Sequence, residues 1–170
     1  DGSKADLVKI IRDDSLGSIA WDSNNVNDWS KASLQTTLNS EYYNGTYATG
    51  ALKNDTTRNA IESVVWNLGG TASYNSASNG LASHWYGYER GTTVYSGHAT
   101  TWTGKVGLMY PSDYGYATSG GTTTNRATCM ATKLYDWGDS GVSDCKNNDY
   151  LYKSSYRQWT LTTNSSDLLY

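Results

Sequence analysis

The sequence predicts one α+β domain over residues 1–170, with two helices early, short antiparallel strands and a large, irregular, loop-rich second half. Three observations predict it. The first half holds two stretches with helical spacing of apolar residues. Short apolar runs rich in β-branched residues recur between turn-forming Gly, Asn, Asp and Ser. From Thr71 onward, long Ser/Gly/Thr-rich stretches studded with Tyr and Trp lose all periodicity.

In chain order, "DLVKII" (Asp6 to Ile11) reads as a strand, and a second short strand is expected near Ile19–Trp21. Ser30 caps a helix beginning near Lys31. Leu34, Leu38 and Tyr42 share one face of it, and Gly45 stops it. "NAIESVVWNLGG" predicts a second helix. Asn59 serves as its N-cap, with Glu62 three residues on, and Ala60, Val64 and Leu68 form one row. The stretch from Thr71 to Gly104 is too aromatic for a disordered linker and is expected to be ordered but irregular. "KVGLMY" reads as a strand. Pro111 turns the chain out of it, where Ser112 or Asp113 can bond the turn backbone. A last strand is expected around Gln158–Leu161.

A chain of 170 residues can bury one core. It has no Phe, so its 7 Trp and 15 Tyr must do most of the hydrophobic work, and each polar ring tip needs a partner. Only 17% of residues are charged, so a Tyr-, Asn-, Thr- and Gly-rich surface carries solubility, as in extracellular proteins. The net charge is −3, and Lys and Arg are scattered without a basic cluster, which argues against a nucleic-acid partner. No run of 18 apolar residues occurs, so no membrane span is expected.

Cys129 and Cys145 have fifteen residues between them. That spacing suits a local disulfide, worth roughly 3 kcal/mol by loop entropy, and a disulfide points outside the cytoplasm. Two free thiols or a metal pair are the alternatives. A metal pair lacks nearby His, since His84 and His98 are distant in sequence.

Candidate chemistry is sparse. Neither histidine sits in a recognisable nucleophile motif, and no spacing singles out a pair of facing carboxylates. The densest acidic stretch is "YDWGDSGVSDCKNND". Asp136, Asp139, Asp144, Asn147 and Asp149 offer the hard oxygens that calcium takes, although the spacing is not that of an EF-hand. A solvated loop whose Asp and Asn cap their own backbone explains the same residues. Tyr86, Tyr88, Tyr114 and Tyr116 are candidates for aromatic contact with a sugar or a protein, and core or rim packing is the competing account. No catalytic residue, resident metal or organic cofactor is expected. The sequons at Asn44, Asn54 and Asn164 arise easily in so Asn/Thr/Ser-rich a chain.

Three segments carry a resemblance: "IAWDSNNVNDWSKASLQTTLNSEYYNG", "GKVGLMYPSDYGYA" and "WTLTTNSS". Together, over about Leu7 to Ser166, they resemble a bacterial domain family of unknown function related to the C-type-lectin-like and formylglycine-generating-enzyme-like fold. They are also similar to soluble parts of prepilin-type and other surface proteins of Gram-positive bacteria. The resemblance implies a C-type-lectin-like fold and raises the case for calcium in the acidic loop. The reactive Cys pair of enzymes with this fold does not carry over. The resemblance implies closing strands that this sequence is expected to lack after Tyr170, either because the chain is cut short there or because a partner chain completes the sheet, and an open edge for strand pairing is then expected. The expected function is a non-catalytic extracellular module of a bacterial surface or pilus-like assembly, whose partners are other protein chains, by self-assembly or strand pairing, or surface glycans. The alternative is a lectin-like ligand-binding domain, assisted by calcium.

Overall fold

The computed structural model describes residues 6–12, 14–47, 52–71, 80–117, 126–138, 145 and 157–163. It is mixed helix and strand, in agreement with α+β. Helix α1 (Ser33–Thr37) runs into one π-helical turn (Leu38–Tyr42). Helix α2 (Asp55–Asn59) and strand β1 (Val64–Asn67) follow, then α3 (Ala82–Glu89), β2 (Thr101–Gly104), α4 (Pro111–Tyr116), α5 (Arg126–Ala131) and a 3-10 turn (Leu134–Gly138). Strands β1 and β2 pair antiparallel with Trp66 opposite Trp102.

The first predicted helix forms, and Leu34, Leu38 and Tyr42 are all buried on one face. Gly45 ends it with φ +79°, a conformation that costs glycine little. Its cap differs from expectation. Ser30 does not cap it. Instead Asp22, eleven residues upstream, accepts from the Ser33 amide at 2.8 Å and from the amides of Asn24 and Val26. A carboxylate brought in by a turn satisfies the helix start better than the local hydroxyl.

Five expected elements are corrected. Asp6–Ile11 and Ile19–Trp21 are not strands, because neither finds a partner ladder among the described residues. The 59–68 helix is replaced by α2, which Asn54 caps by accepting from the Thr57 amide at 3.1 Å, and by β1. Val64, Val65 and Trp66 are stiff or bulky residues that prefer a pleated surface, and β2 offers them a ladder. "KVGLMY" (Lys105 to Tyr110) is not a strand; the strand β2 precedes it, at Thr101–Gly104. Gln158–Leu161 is not a strand, though the Leu161 amide donates to the Met109 carbonyl at 3.0 Å. The second half is also more helical than expected.

What replaces the ladder after Gly104 is one side chain. In the π turn, the Tyr43 amide reaches back to Leu38 O at 3.1 Å. Within that turn, Asn39 bonds the neighbouring segment. Its Oδ1 accepts from the Lys105 and Val106 amides at 3.1 and 3.0 Å. Its Nδ2 donates to Val106 O at 2.8 Å and Gln35 O at 3.0 Å. Asn39→Ala is expected to lower the unfolding free energy by about 2 kcal/mol, since it orphans several partly buried main-chain groups. Urea denaturation checks this, and an unchanged midpoint would show that Asn39 does not hold the segment.

The core is a ring cluster. Trp21 and Trp29 lie 5.6 Å apart, Trp21 and Trp159 5.7 Å, and Trp29 and Trp102 5.7 Å, tilted or edge-on as ring quadrupoles prefer. Leu34, Leu38, Leu68, Tyr110 and Leu161 complete it. The expectation that ring tips need partners holds for most: Trp21 Nε1 donates to Val26 O, Trp66 to Gly104 O and Trp159 to Ile19 O. A second, smaller cluster gathers Cys129, Trp137 and Cys145 with Tyr114, Met130 and Leu134. Cys129 and Cys145 form the expected disulfide, with Cα atoms 5.3 Å apart.

Candidate functional site

The sequence-predicted residues separate into three groups. Asp139, Asp144, Asn147 and Asp149 lie outside the described residues, while Asp136 sits half-buried in the 3-10 turn. Among the described residues, no group of three or more His, Cys, Asp and Glu is placed to hold a metal ion. Tyr114 packs against Trp137 at 5.6 Å and belongs to the disulfide cluster. Tyr88 meets Trp85 edge-on at 6.0 Å. Both tyrosines are half-buried, each with a tryptophan ring against it.

Tyr86 and Tyr116 come together. Tyr86 is in α3 and Tyr116 at the end of α4, and their rings meet edge-on at 6.1 Å. Both are exposed. The Arg90 guanidinium lies 3.5 Å from the Tyr86 ring centre. The helices bring the pair together because Gly115 lets α4 approach α3: a Cβ there would stand 2.5 Å from that of Ala82. The product is a small exposed aromatic surface with a cation on one ring.

The same helix seam buries a carboxylate that the sequence reading missed. Glu89, at the end of α3, is fully buried. Its Oε1 accepts from the Ser112 amide at 2.9 Å, and its Oε2 accepts from the Ser112 hydroxyl. Burial pushes its carboxyl up to about 7, opposed by the two Ser112 bonds; Asp113 adds to the rise and Arg90 opposes it. A carboxyl that titrates near neutrality is a recognised mark of acid–base chemistry. Here both oxygens are committed to Ser112, and Glu89 does not line the groove described below. Glu89 clamps the first turn of α4 to α3. Asp113, the next residue, accepts from the Tyr110 amide at 2.8 Å and so fixes the turn after Pro111. Nothing in "YGYERG" marks the glutamate as buried, because the two elements that seal it are distant in sequence.

A groove of about 520 Å³ lies between the N-terminal ribbon and the ring core. Its walls are mostly apolar, including Leu34, Leu38, Ile61, Val106, Leu108 and Trp159. Lys9 latches the ribbon across it. The Lys9 ammonium pairs with Asp113 and lies 4.5 Å from the Tyr110 ring centre and 5.5 Å from that of Trp66. The rest of the ribbon faces outward, with Val8 84% and Ile10 74% exposed. Leu7, Val8, Ile10 and Ile11 make no hydrogen bond.

Four cations line the groove, Lys9, Arg12, Lys105 and Arg157, against one carboxylate, Asp14. Lys105 donates to Tyr43 Oη and Ile61 O and has no carboxylate partner. Arg157 is exposed and has no partner. Four of the thirteen basic residues, scattered along the chain, line this groove. No helix among the described residues is long and apolar enough to cross a membrane. Comparison of the chain with protein-family models, with curated proteins and with solved structures returned no match.

Proposed function

We propose that this chain is a non-catalytic extracellular module of a bacterial surface or pilus-like assembly, built on a C-type-lectin-like fold. One observation carries the reading. The ribbon Leu7–Ile11 exposes β-branched side chains and unpaired peptide groups while Lys9 holds it in place. An exposed apolar strip with free main-chain donors and acceptors is a template for pairing with another chain. The disulfide and the low charge support an oxidising, exterior setting.

A second reading, a glycan-binding module, is favoured by the exposed Tyr86–Tyr116 pair. Rings presented this way stack on sugar faces, and the Arg90 cation beside them suits hydroxyls. One protein preparation separates the two. Sedimentation at rising concentration is expected to show self-association that the double variant Val8→Lys/Ile10→Lys weakens at least about tenfold, an effect of about 1.4 kcal/mol. A chain that stays monomeric throughout but is retained on a glycan array, and loses retention in Tyr86→Ala, favours the second reading and overturns the first.

A further inference from the structure

We propose that the groove beneath the N-terminal ribbon accepts an extended, acidic peptide from a partner protein, adding it as a strand beside the ribbon. The inference rests on the assembly reading above and names the chemistry of the partner.

Interiors are normally packed with few voids larger than a water molecule. A space of about 520 Å³ falls instead in the range of ligand sites, about 300–1,000 Å³. Its lining is of a particular kind. Gly107 and Leu108 on one wall, and Arg157 and Gln158 on another, make no hydrogen bonds, like the ribbon itself. Three stretches of main chain therefore border the groove with unused donors and acceptors. An amphipathic small molecule would satisfy the apolar walls but leave these peptide groups unpaired. An extended peptide satisfies both, placing alternate side chains against Leu34, Leu38, Ile61 and Leu108.

Charge selects the sequence of that peptide. Lys105 and Arg157 line the groove with no carboxylate partner among the described residues, whereas Lys9 is already paired with Asp113. The same two cations disfavour the ribbon of a second copy inside the groove, since that ribbon brings Lys9 to them, whereas self-association uses the outward-facing Val8 and Ile10 side of the ribbon. Acidic residues flanking apolar ones match the rim at Lys105 and Arg157.

The test is fluorescence anisotropy with a labelled synthetic peptide of alternating Val and Thr ending in Asp at both ends. It is run on the whole chain, diluted until monomeric, so that failed self-association does not affect it. The peptide is expected to bind, and to bind about tenfold more weakly when its Asp ends are replaced by Lys. Arg157→Glu is expected to weaken binding by a similar factor, and Arg157→Lys to restore it. Neither is expected to change the melting temperature, because Arg157 is exposed and makes no hydrogen bond or ion pair. Equal binding of a peptide N-methylated at alternate amides would overturn strand addition. So would binding of dodecanoate where the peptide fails, or binding of neither.

Discussion

Trp29→Ala is expected to cost about 3–5 kcal/mol, the range for emptying an aromatic site in a core. Trp29 is 1% exposed and packs at 5.6 Å on Trp21 and 5.7 Å on Trp102. It therefore joins the turn before α1 to β2, and Trp21 extends the contact to Trp159 near the far end of the described chain. Removing one ring leaves two others facing a void and cuts contacts between segments that share no backbone ladder. The indole Nε1 of Trp29 has no acceptor among the described residues, which sets a second expectation. Trp29→Phe loses some ring area but also removes a buried donor whose desolvation is uncompensated, a penalty of about 1–3 kcal/mol. The Phe variant is expected to stay within about 1 kcal/mol of the parent, because the two effects oppose. Urea denaturation followed by circular dichroism reads both. An Ala variant that loses less than about 1 kcal/mol would show that the ring cluster is not what holds the fold.

The sequence was informative where one residue type decides the outcome locally. The four-residue step from Leu34 through Leu38 to Tyr42 defines a buried face whatever the cap, and Gly45 is an efficient stop because only glycine takes its positive φ cheaply. The disulfide was legible from spacing, and the need for partners at Trp tips from the absence of Phe. Elements were misplaced where a distant group overrode a local preference. Asp22 took the capping role of Ser30, and Asn39 took the hydrogen bonds that would have made 105–106 part of a ladder. In "NAIESVVWNLGG" helical spacing and β-branched content conflict, and the partner strand decided. The candidate site was legible only in its aromatics. Tyr86 and Tyr116 were recognisable as exposed-ring candidates, but the cations of the groove lie up to 148 positions apart (Lys9 to Arg157), so no window shows them as a cluster.

Stability is expected to fall by about 3 kcal/mol as pH rises from about 4.5 to 7, and Glu89→Gln should remove most of that slope. The folded carboxyl titrates at about 7 and the ordinary value is 4.5. Between those values the unfolded chain has released its proton while the native chain keeps it. Native protein therefore binds more protons there, and raising the pH favours unfolding; above about 7 both states are ionised and the curve levels. At low pH other carboxylates act in the opposite sense. Burial pushes the Asp28 carboxyl up, but bonds from Ser30 and Lys31 outweigh it and hold it below the usual range. Amides of Val26 and Ser33 likewise hold Asp22 low. Both withdraw stability as pH falls below the ordinary carboxylate value, so the maximum lies close to that value, at the acid end of the Glu89 window. Gln is the informative replacement. Its carbonyl can still accept from the Ser112 amide and its amide can donate to the Ser112 hydroxyl, so the α3–α4 clamp survives without a charge. Denaturation at pH 5 and pH 8 gives the comparison. If parent and Glu89→Gln lose the same stability between the two, the neutral-range slope belongs to another group, and Glu89 is not the buried acid that ties α4 to α3.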